Sequence, residues 1–307
     1  MVLGTGGTIA GTADAGEAAG YGAARVGAAA LVAGLSQPAS VAVEAEQVAQ
    51  VDSKDMDGAT WSRLVRRIAH HAARDEVAGI VVAHGTDTLE ETAWLLERTV
   101  GRLGKPIVLT GAMRPADAAD ADGPRNLADA VAAAADPALR GVVVAFAGSR
   151  FAARGLRKRH TRAADAFAGR APGEDRNPRG EPVDPARLPA DAAGWPWVEV
   201  VASGALVDGR TIDALTAAGV DGLVVATTGN GTVHAALEAA LERAASAGVA
   251  ILRATRVAEG GIAEPNGDHA RWPDAGDLSP AQARVELLLR RLGTPVHALM
   301  DGAPIRG

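Results

Sequence analysis

The sequence predicts an α/β fold of two domains, a larger N-terminal domain with a mainly parallel sheet and a smaller C-terminal α/β domain. Short continuous apolar runs alternate with helical patterns, as in strands that crossover helices bury on both faces. The chain has 307 residues, more than one hydrophobic core usually holds. A proline-rich stretch also divides it unequally.

Six short apolar runs predict strands. They cover residues 80–83, 107–110, 142–146, 198–202, 223–227 and 249–252. Apolar residues at i, i+3, i+4 and i+7 predict helices around Trp61, Leu237 and Ala281, the last with the polar Arg284 in its apolar series. Ligands bind beyond the carboxyl ends of parallel strands, so we expect the chemistry in the loops that follow them.

Six of the sixteen prolines fall in the stretch 172–197, where the apolar periodicity disappears. This composition predicts a linker between an N-terminal domain, residues 1–171, and a C-terminal domain, residues 198–307. Because the polar motifs described below lie mostly before the linker, we expect the N-terminal domain to be the catalytic one.

Composition excludes several classes of protein. The formal net charge is −6 and only nine residues are aromatic, which disfavours a nucleic-acid-binding surface. Cysteine is absent and the seven histidines show no metal-ligand spacing, so we expect no metal and no cofactor. Neither a long apolar run nor a leader pattern is present, which predicts a cytoplasmic protein without a membrane partner.

Lysine and tyrosine are scarce in this chain. Of 31 basic residues only Lys54, Lys105 and Lys158 are lysine, and the last lies in a run of arginines. A guanidinium keeps its proton in a protein whereas an amine can lose it, so Lys158 is a candidate base. The alternative for this basic run is a solvated face. Tyr21, the only tyrosine, lies in a Gly/Ala-rich segment with no apolar periodicity.

Two short polar motifs follow strand-like residues. The first, at 3–11, reads LGTGGTIAG; its glycines let backbone N–H groups face a bound group while Thr5 and Thr8 supply hydroxyls. The second, HGTDT at 84–88, lies between a buried strand and a helix N-terminus that favours a bound carboxylate. The structural alternatives are a tight turn with solvated threonines and helix capping by Asp87 or Thr88.

The runs TGGTIA at 5–10 and HGTDT at 84–88 together strongly resemble the two signature motifs of the bacterial-type L-asparaginase/glutaminase family. The resemblance extends over essentially the whole chain, in the segments 52–56, 111–115, 122–127, 158–167, 229–231 and 280–285. Taken alone, the polar run 52–56 has helix capping as its simpler interpretation.

The resemblance implies a two-domain amidohydrolase, usually a homotetramer of intimate dimers, that hydrolyses L-asparagine to L-aspartate and ammonia. It implies that Thr8 is the nucleophile and that Tyr21 belongs to a mobile lid, residues 11–27. The other implied catalytic and substrate-binding residues are Ser53, Thr86, Asp87 and Lys158, with the Ala112 backbone near the leaving amide and Glu264 as a contact to the partner subunit's site.

Three alternatives remain beside asparagine hydrolysis. They are a glutaminase or broader amidase, the related subunit of an amidotransferase acting on mischarged tRNA, and a catalytically inactive amino-acid-binding protein. The amidotransferase subunit needs a basic RNA surface, which this composition does not supply. Retention of Thr8, Thr86, Asp87 and Lys158 together argues against an inactive protein. We therefore expect an asparaginase with a small-molecule substrate, assembled as a dimer or tetramer.

Overall fold

The computed structural model describes residues 1–13, 21–22, 25–35, 41–174, 181–263 and 271–293. The chain divides into two compact units. The first comprises Met1–Pro185 and Pro189–Ala192, and the second comprises Ala186–Leu188 and Ala193–Gly307. The division lies within the proline-rich stretch, and each unit has its own parallel sheet.

The first unit contains the larger, six-stranded sheet and two separate strand pairs. Its described strands are β1 (Val2–Gly6), β2 (Thr12–Ala13), β3 (Tyr21–Gly22), β4 (Ala45–Val51), β5 (Ile80–Ala83), β6 (Ile107–Thr110), β7 (Val142–Phe146), β8 (Ser149–Ala152), β9 (Arg157–Lys158) and β10 (Phe167–Ala168). Its described helices are α1 (Ala28–Ala33), α2 (Gly58–Ala72), α3 (Leu89–Thr99) and α4 (Gly123–Ala134).

Six of these strands form one sheet in the order β4-β1-β5-β6-β7-β8. All its pairs are parallel except β7 with β8. Every residue of β5, β6 and β7 is buried, and since neighbouring residues of a strand face opposite sides, both faces of these strands are covered. The predicted strands 80–83, 107–110 and 142–146 are confirmed with these bounds.

The second unit is a three-stranded parallel sheet with helices. Its strands, in the order β11-β12-β13, and its described helices are β11 (Val198–Ala202), β12 (Gly222–Thr227), β13 (Ala250–Thr255), α5 (Arg210–Ala217), α6 (Ala235–Ser246) and α7 (Pro280–Gly293). None of the helices in the described parts of the two units is long and apolar enough to cross a membrane.

One buried and one half-buried arginine explain where the apolar pattern of the second unit breaks. The predicted strand 249–252 was wrong in its bounds, because β13 continues through Arg253, which is 1% exposed. Arg253 donates from Nε to the Trp272 carbonyl at 3.0 Å and from Nη1 to the Gly231 carbonyl at 2.9 Å. Arg284 likewise donates to the Val198 carbonyl at 2.8 Å, so backbone oxygens satisfy both cations.

The proline-rich stretch is packed in part against α3. The Val183 N–H donates to the Arg98 carbonyl at 2.8 Å, and Arg98 Nη2 donates to the Glu181 carbonyl at 2.7 Å. Val183 itself is buried. This part of the stretch therefore contributes to the first unit, although its sequence lacks an apolar period.

Close packing of β5 on α4 makes a stability prediction. A Cβ on Gly79 would lie 2.0 Å from the Ala134 carbonyl oxygen, so Gly79→Ala should lower the free energy of unfolding by about 2 kcal/mol or more. Gly34→Ala is the control, because among the described atoms its Cβ meets only the Leu31 carbonyl oxygen, at 3.8 Å. Urea unfolding of both variants checks this; equal stabilities would contradict it.

Candidate active site

Four predicted site residues lie at one edge of the large sheet. Thr8 follows β1, Ser53 follows β4, Thr86 follows β5 and Ala112 follows β6. These strands are parallel neighbours, so their carboxyl ends meet at the same edge. The structure therefore brings together segments from the first 112 residues at the place where the sequence predicted the chemistry.

Two glycines hold the first two motifs against each other. Gly7 has φ +80°, and a Cβ on it would lie 2.2 Å from the Gly85 Cα. A Cβ on Gly85 would lie 2.4 Å from Ser53 Oγ. Only glycine allows this approach, and Thr8 and Thr86 each follow one of the touching residues.

The two threonines are buried rather than solvated. Thr8 begins a 3-10 turn, Thr8–Ala10, and is 8% exposed, while Thr86 is 5% exposed. The neighbouring Thr5 is also buried and donates its hydroxyl to the Ala83 carbonyl at 3.1 Å, which makes it a structural residue. The alternative of a turn with solvated threonines is therefore wrong.

Ser53 connects the loop after β4 to the second motif. It is 2% exposed, its Oγ accepts the Asp87 N–H at 3.2 Å, and its carbonyl accepts the Thr88 hydroxyl at 2.8 Å. The capping interpretation of this run holds for Asp52, whose carboxylate caps the Ser53–Asp55 turn, but not for Ser53. Helix α2 has its own cap, Asp57.

Lys158 reaches the second motif from 72 residues away in sequence. Its Nζ donates to Thr86 Oγ1 at 2.9 Å and to Asp87 Oδ1 at 2.6 Å. The lysine side chain is 19% exposed and that of Asp87 53%. Helix α3 has Thr88 as its N-cap without a side-chain capping bond, so capping does not explain Asp87. A hydroxyl, an amine and a carboxylate thus lie in series.

The loop that carries Ala112 is held by two side chains at the start of α4. Asp122 accepts the Met113 N–H at 3.0 Å, and Asn126 Nδ2 donates to the Gly111 carbonyl at 3.0 Å. Ala112 is fully buried. Sequence reasoning matched Asp122 and Asn126 to a motif but gave them no role; their four-residue spacing at a helix start was the available signal.

The buried His84, the first residue of the second motif, is held by side chains of α2 and α3. The Trp61 indole N–H donates to Thr92 Oγ1 at 2.9 Å, and Thr92 Oγ1 lies 3.0 Å from His84 Nε2. Because a carbonyl only accepts, Nδ1–H donates to the Gly85 carbonyl at 2.7 Å, and the other ring nitrogen, Nε2, accepts the Thr92 hydroxyl. Burial lowers the pKa of His84 to about 4, so the ring is neutral.

Two predicted site residues lie wholly or partly outside the described structure. Strand β3 pairs antiparallel with β2, with Ala13 opposite Tyr21, but the Tyr21 side chain lies outside the described part of the structure. Residues 14–20 and 23–24 of the predicted lid and Glu264 lie outside the described residues as well. Among the residues that are described, no group of three or more histidine and acidic side chains is placed to hold a metal ion.

A hydroxyl, an amine and a carboxylate in series, at the carboxyl edge of a parallel sheet, define a site of the kind found in hydrolases that activate a hydroxyl nucleophile. The family models agree with this class. Residues 1–174 match the model described as Asparaginase, N-terminal, and residues 197–291 match the Glutaminase/Asparaginase C-terminal domain. The chain belongs to the asparaginase family, as its motifs predicted.

Individual relatives are similar over nearly the full chain. The glutaminase-asparaginase of Pseudomonas fluorescens biotype A is 37% identical, over 93% of this chain and 84% of that protein. L-asparaginase 2 of Escherichia coli (strain K12) is 36% identical, over 94% and 87%. The crystal structure of a probable cytoplasmic L-asparaginase from Campylobacter jejuni is 33% identical, covers 98% of this chain and 97% of that chain, and superposes with a TM-score of 0.84.

The neutral His84 predicts a pH dependence of stability. Its ordinary pKa is 6.5 and the folded value is about 4, so between these values the unfolded chain binds a proton that the folded chain does not. Stability should therefore fall as the pH is lowered from 6.5, by up to about 3 kcal/mol. His84→Gln lacks this contribution, and the difference in free energy of unfolding between wild type and variant should shrink between pH 7.5 and 4.5. Denaturant unfolding across this range measures it; a constant difference would contradict the assignment.

Proposed function

We propose that the protein is an L-asparagine amidohydrolase, which converts L-asparagine and water to L-aspartate and ammonia. The observation that carries the proposal is the bonding of Lys158 Nζ to Thr86 Oγ1 at 2.9 Å and to Asp87 Oδ1 at 2.6 Å. Family membership supports it, as do relatives named L-asparaginase and glutaminase-asparaginase.

In this proposal Thr8 is the nucleophile. Its Oγ1 attacks the side-chain amide carbon of asparagine, backbone N–H groups stabilise the oxyanion, and the Ala112 backbone lies near the leaving amide. The intermediate collapses as the C–N bond breaks, and the hydroxyl proton leaves with the nitrogen as ammonia. Water then hydrolyses the aspartyl ester, which releases aspartate and restores the threonine hydroxyl. The burial of Thr8 supports this role, because a dry site strengthens every charge interaction in the reaction.

Thr86, Lys158 and Asp87 form the proton-transfer chain in this mechanism. The Thr86 hydroxyl polarises the amide or activates the water. The neutral Lys158 amine accepts the proton of the Thr86 hydroxyl. Asp87 then stabilises the ammonium that forms, just as it pairs with Nζ at 2.6 Å. An arginine could not take the proton, which accounts for a lysine at this position in a chain that prefers arginine.

Asparagine binds, in this proposal, through its α-groups. The Asp87 carboxylate is half exposed, so the oxygen not bonded to Lys158 can accept the α-ammonium group. The Ser53 hydroxyl, beside the Asp87 N–H, donates to the α-carboxylate. Two anchors this close together select a short amino acid amide. Tyr21 would close the lid over it.

Glutamine hydrolysis is the second candidate activity, since some of the similar proteins are named glutaminase-asparaginase. An inactive amino-acid-binding protein is disfavoured, because such a protein has no use for the Lys158–Thr86 contact. The glutaminase alternative predicts comparable ammonia release from both amides, whereas the main proposal predicts a preference for asparagine.

Assembly, location and domain roles complete the proposal. We propose residues 1–171 as the catalytic domain, 172–197 as the linker and 198–307 as the C-terminal domain. We also propose a cytoplasmic homo-oligomer, a dimer or tetramer, in which Glu264 contacts the partner subunit's site. The similarity to a probable cytoplasmic L-asparaginase supports the location. A relative from Haemophilus influenzae is named a probable periplasmic L-asparaginase, so fractionation of the native host decides between them.

Ammonia release tests the assignment directly. Thr8→Ala and Thr86→Ala should each lower asparagine turnover by several orders of magnitude without unfolding the protein, as loss of a nucleophile or its activator does. Thr99→Ala is the matched control: it removes a threonine hydroxyl at the opposite end of α3, about 15 Å away along the helix. Near-normal release by the Thr8 variant would overturn the mechanism.

The base role of Lys158 has its own test. Lys158→Arg keeps the charge but not the ability to become neutral, so it should be nearly as inactive as Lys158→Ala. Lys105→Arg is the control, since Lys105 donates to the Arg74 carbonyl, a contact that needs only a cation. Steady-state kinetics on asparagine measures all three variants. Retention of most activity by Lys158→Arg would exclude proton transfer to the amine.

A further inference from the structure

The main chain of Lys158 is fixed separately from its side chain. The Lys158 N–H donates to Glu90 Oε2 at 2.7 Å. Glu90 lies in the first turn of α3, three and four residues after the Asp87 and Thr86 side chains that receive Lys158 Nζ. Both ends of the lysine are thus bonded to one five-residue stretch of chain, residues 86–90.

The β9–β10 hairpin depends for its position on contacts with the rest of the first unit. Ala166 and Phe167 are buried, and the Phe167 ring lies edge-on to Phe146, with 4.9 Å between the ring centroids. Strands β9 and β10 form a two-stranded sheet separate from the six-stranded one. Within it the Arg159 N–H donates to the Ala166 carbonyl at 2.7 Å, and Lys158 stands opposite Phe167. The Lys158 N–H is directed instead to α3. A ladder of two residue pairs alone is marginal, so the position of the lysine depends on contacts with the rest of the unit.

A second contact docks the same segment on the same side of α3. The Arg154 guanidinium lies over the ring of Trp94, 5.5 Å from its centroid. Trp94 is four residues after Glu90, so both side chains project from one face of the helix. Trp94 is fully buried and Glu90 partly buried. One face of α3 therefore receives the chain on the approach to Lys158 and at Lys158 itself.

We propose that Glu90 is a positioning residue for the reaction. By holding the Lys158 main chain, it fixes the distance between the Lys158 amine and the Thr86 hydroxyl. The inference rests on the proposed function, because it gives a reason for exact placement of the amine. Glu90 need not touch substrate. Its effect depends on the length of its side chain and on an acceptor oxygen more than on its charge, since the Lys158 N–H that it holds is a neutral group.

The length and acceptor requirements separate three variants. Glu90→Ala removes the acceptor and should lower kcat on asparagine roughly 10- to 100-fold, with a smaller change in KM. Glu90→Gln keeps an oxygen at the same reach and should stay within about fivefold of wild type, a neutral acceptor being weaker. Glu90→Asp keeps the charge but is one methylene shorter, so it should resemble Glu90→Ala. Glu91→Ala, on a different face of the helix, is the control and should keep wild-type kcat.

A double-mutant cycle with Lys158→Met distinguishes positioning from general support of the fold. If Glu90 acts through Lys158, Glu90→Ala should lower the residual turnover of Lys158→Met by less than about twofold. An equal loss in both backgrounds would overturn the inference, as would an active Glu90→Asp beside an inactive Glu90→Gln. If Glu90→Ala keeps wild-type kcat while Lys158→Met is inactive, the inference is overturned and the proposed function stands. Wild-type kcat in Lys158→Met would overturn the proposed function and the inference with it. Thermal unfolding of every variant checks that the fold is retained.

Discussion

The site depends on the backbone contact between Gly7 and Gly85. A Cβ on Gly7 would lie 2.2 Å from the Gly85 Cα, so two loops after neighbouring strands pack so closely that no side chain fits between them. The first loop continues into Thr8 and the second into Thr86, and Ser53 is packed against the same Gly85. Thus no side chain has to reach far, because the backbone itself brings the three hydroxyls to one edge of the sheet.

Buried strands were easier to predict than the edge strand. Strands β5, β6 and β7 are buried at every position, and such strands have an unbroken apolar sequence. Strand β4 lies at the edge of the sheet, where only Val48 and Ala49 are buried, and Glu46 and Gln47 interrupt its apolar residues. Its sequence therefore carries no recognisable strand pattern, although its Gln47 bonds to the Gly4 carbonyl.

Sequence reasoning identified the site residues whose chemistry requires one residue type. It did not identify those that need only to lie in the right position. Lysine scarcity singled out Lys158, because an amine, unlike a guanidinium, can lose its proton. Asp122 and Glu90 instead accept backbone N–H groups, a task open to several residue types, and so the sequence assigned this role to neither of them. Nor could His84 be assigned, since its neutral state follows from burial and from Thr92, which only the folded chain supplies.

The order of the site residues along the chain has a consequence for biosynthesis. Thr8, Ser53, Thr86 and Ala112 all lie within strands and loops that pair with one another in the first 112 residues. Lys158 comes 46 residues later and is bonded to Thr86 across a separation of 72. A nascent chain can therefore pair the strand ends early, yet in the proposed mechanism it lacks its base until the β9–β10 hairpin leaves the ribosome. In that mechanism the site gains its base late in synthesis, when the hairpin docks on a sheet that is already formed.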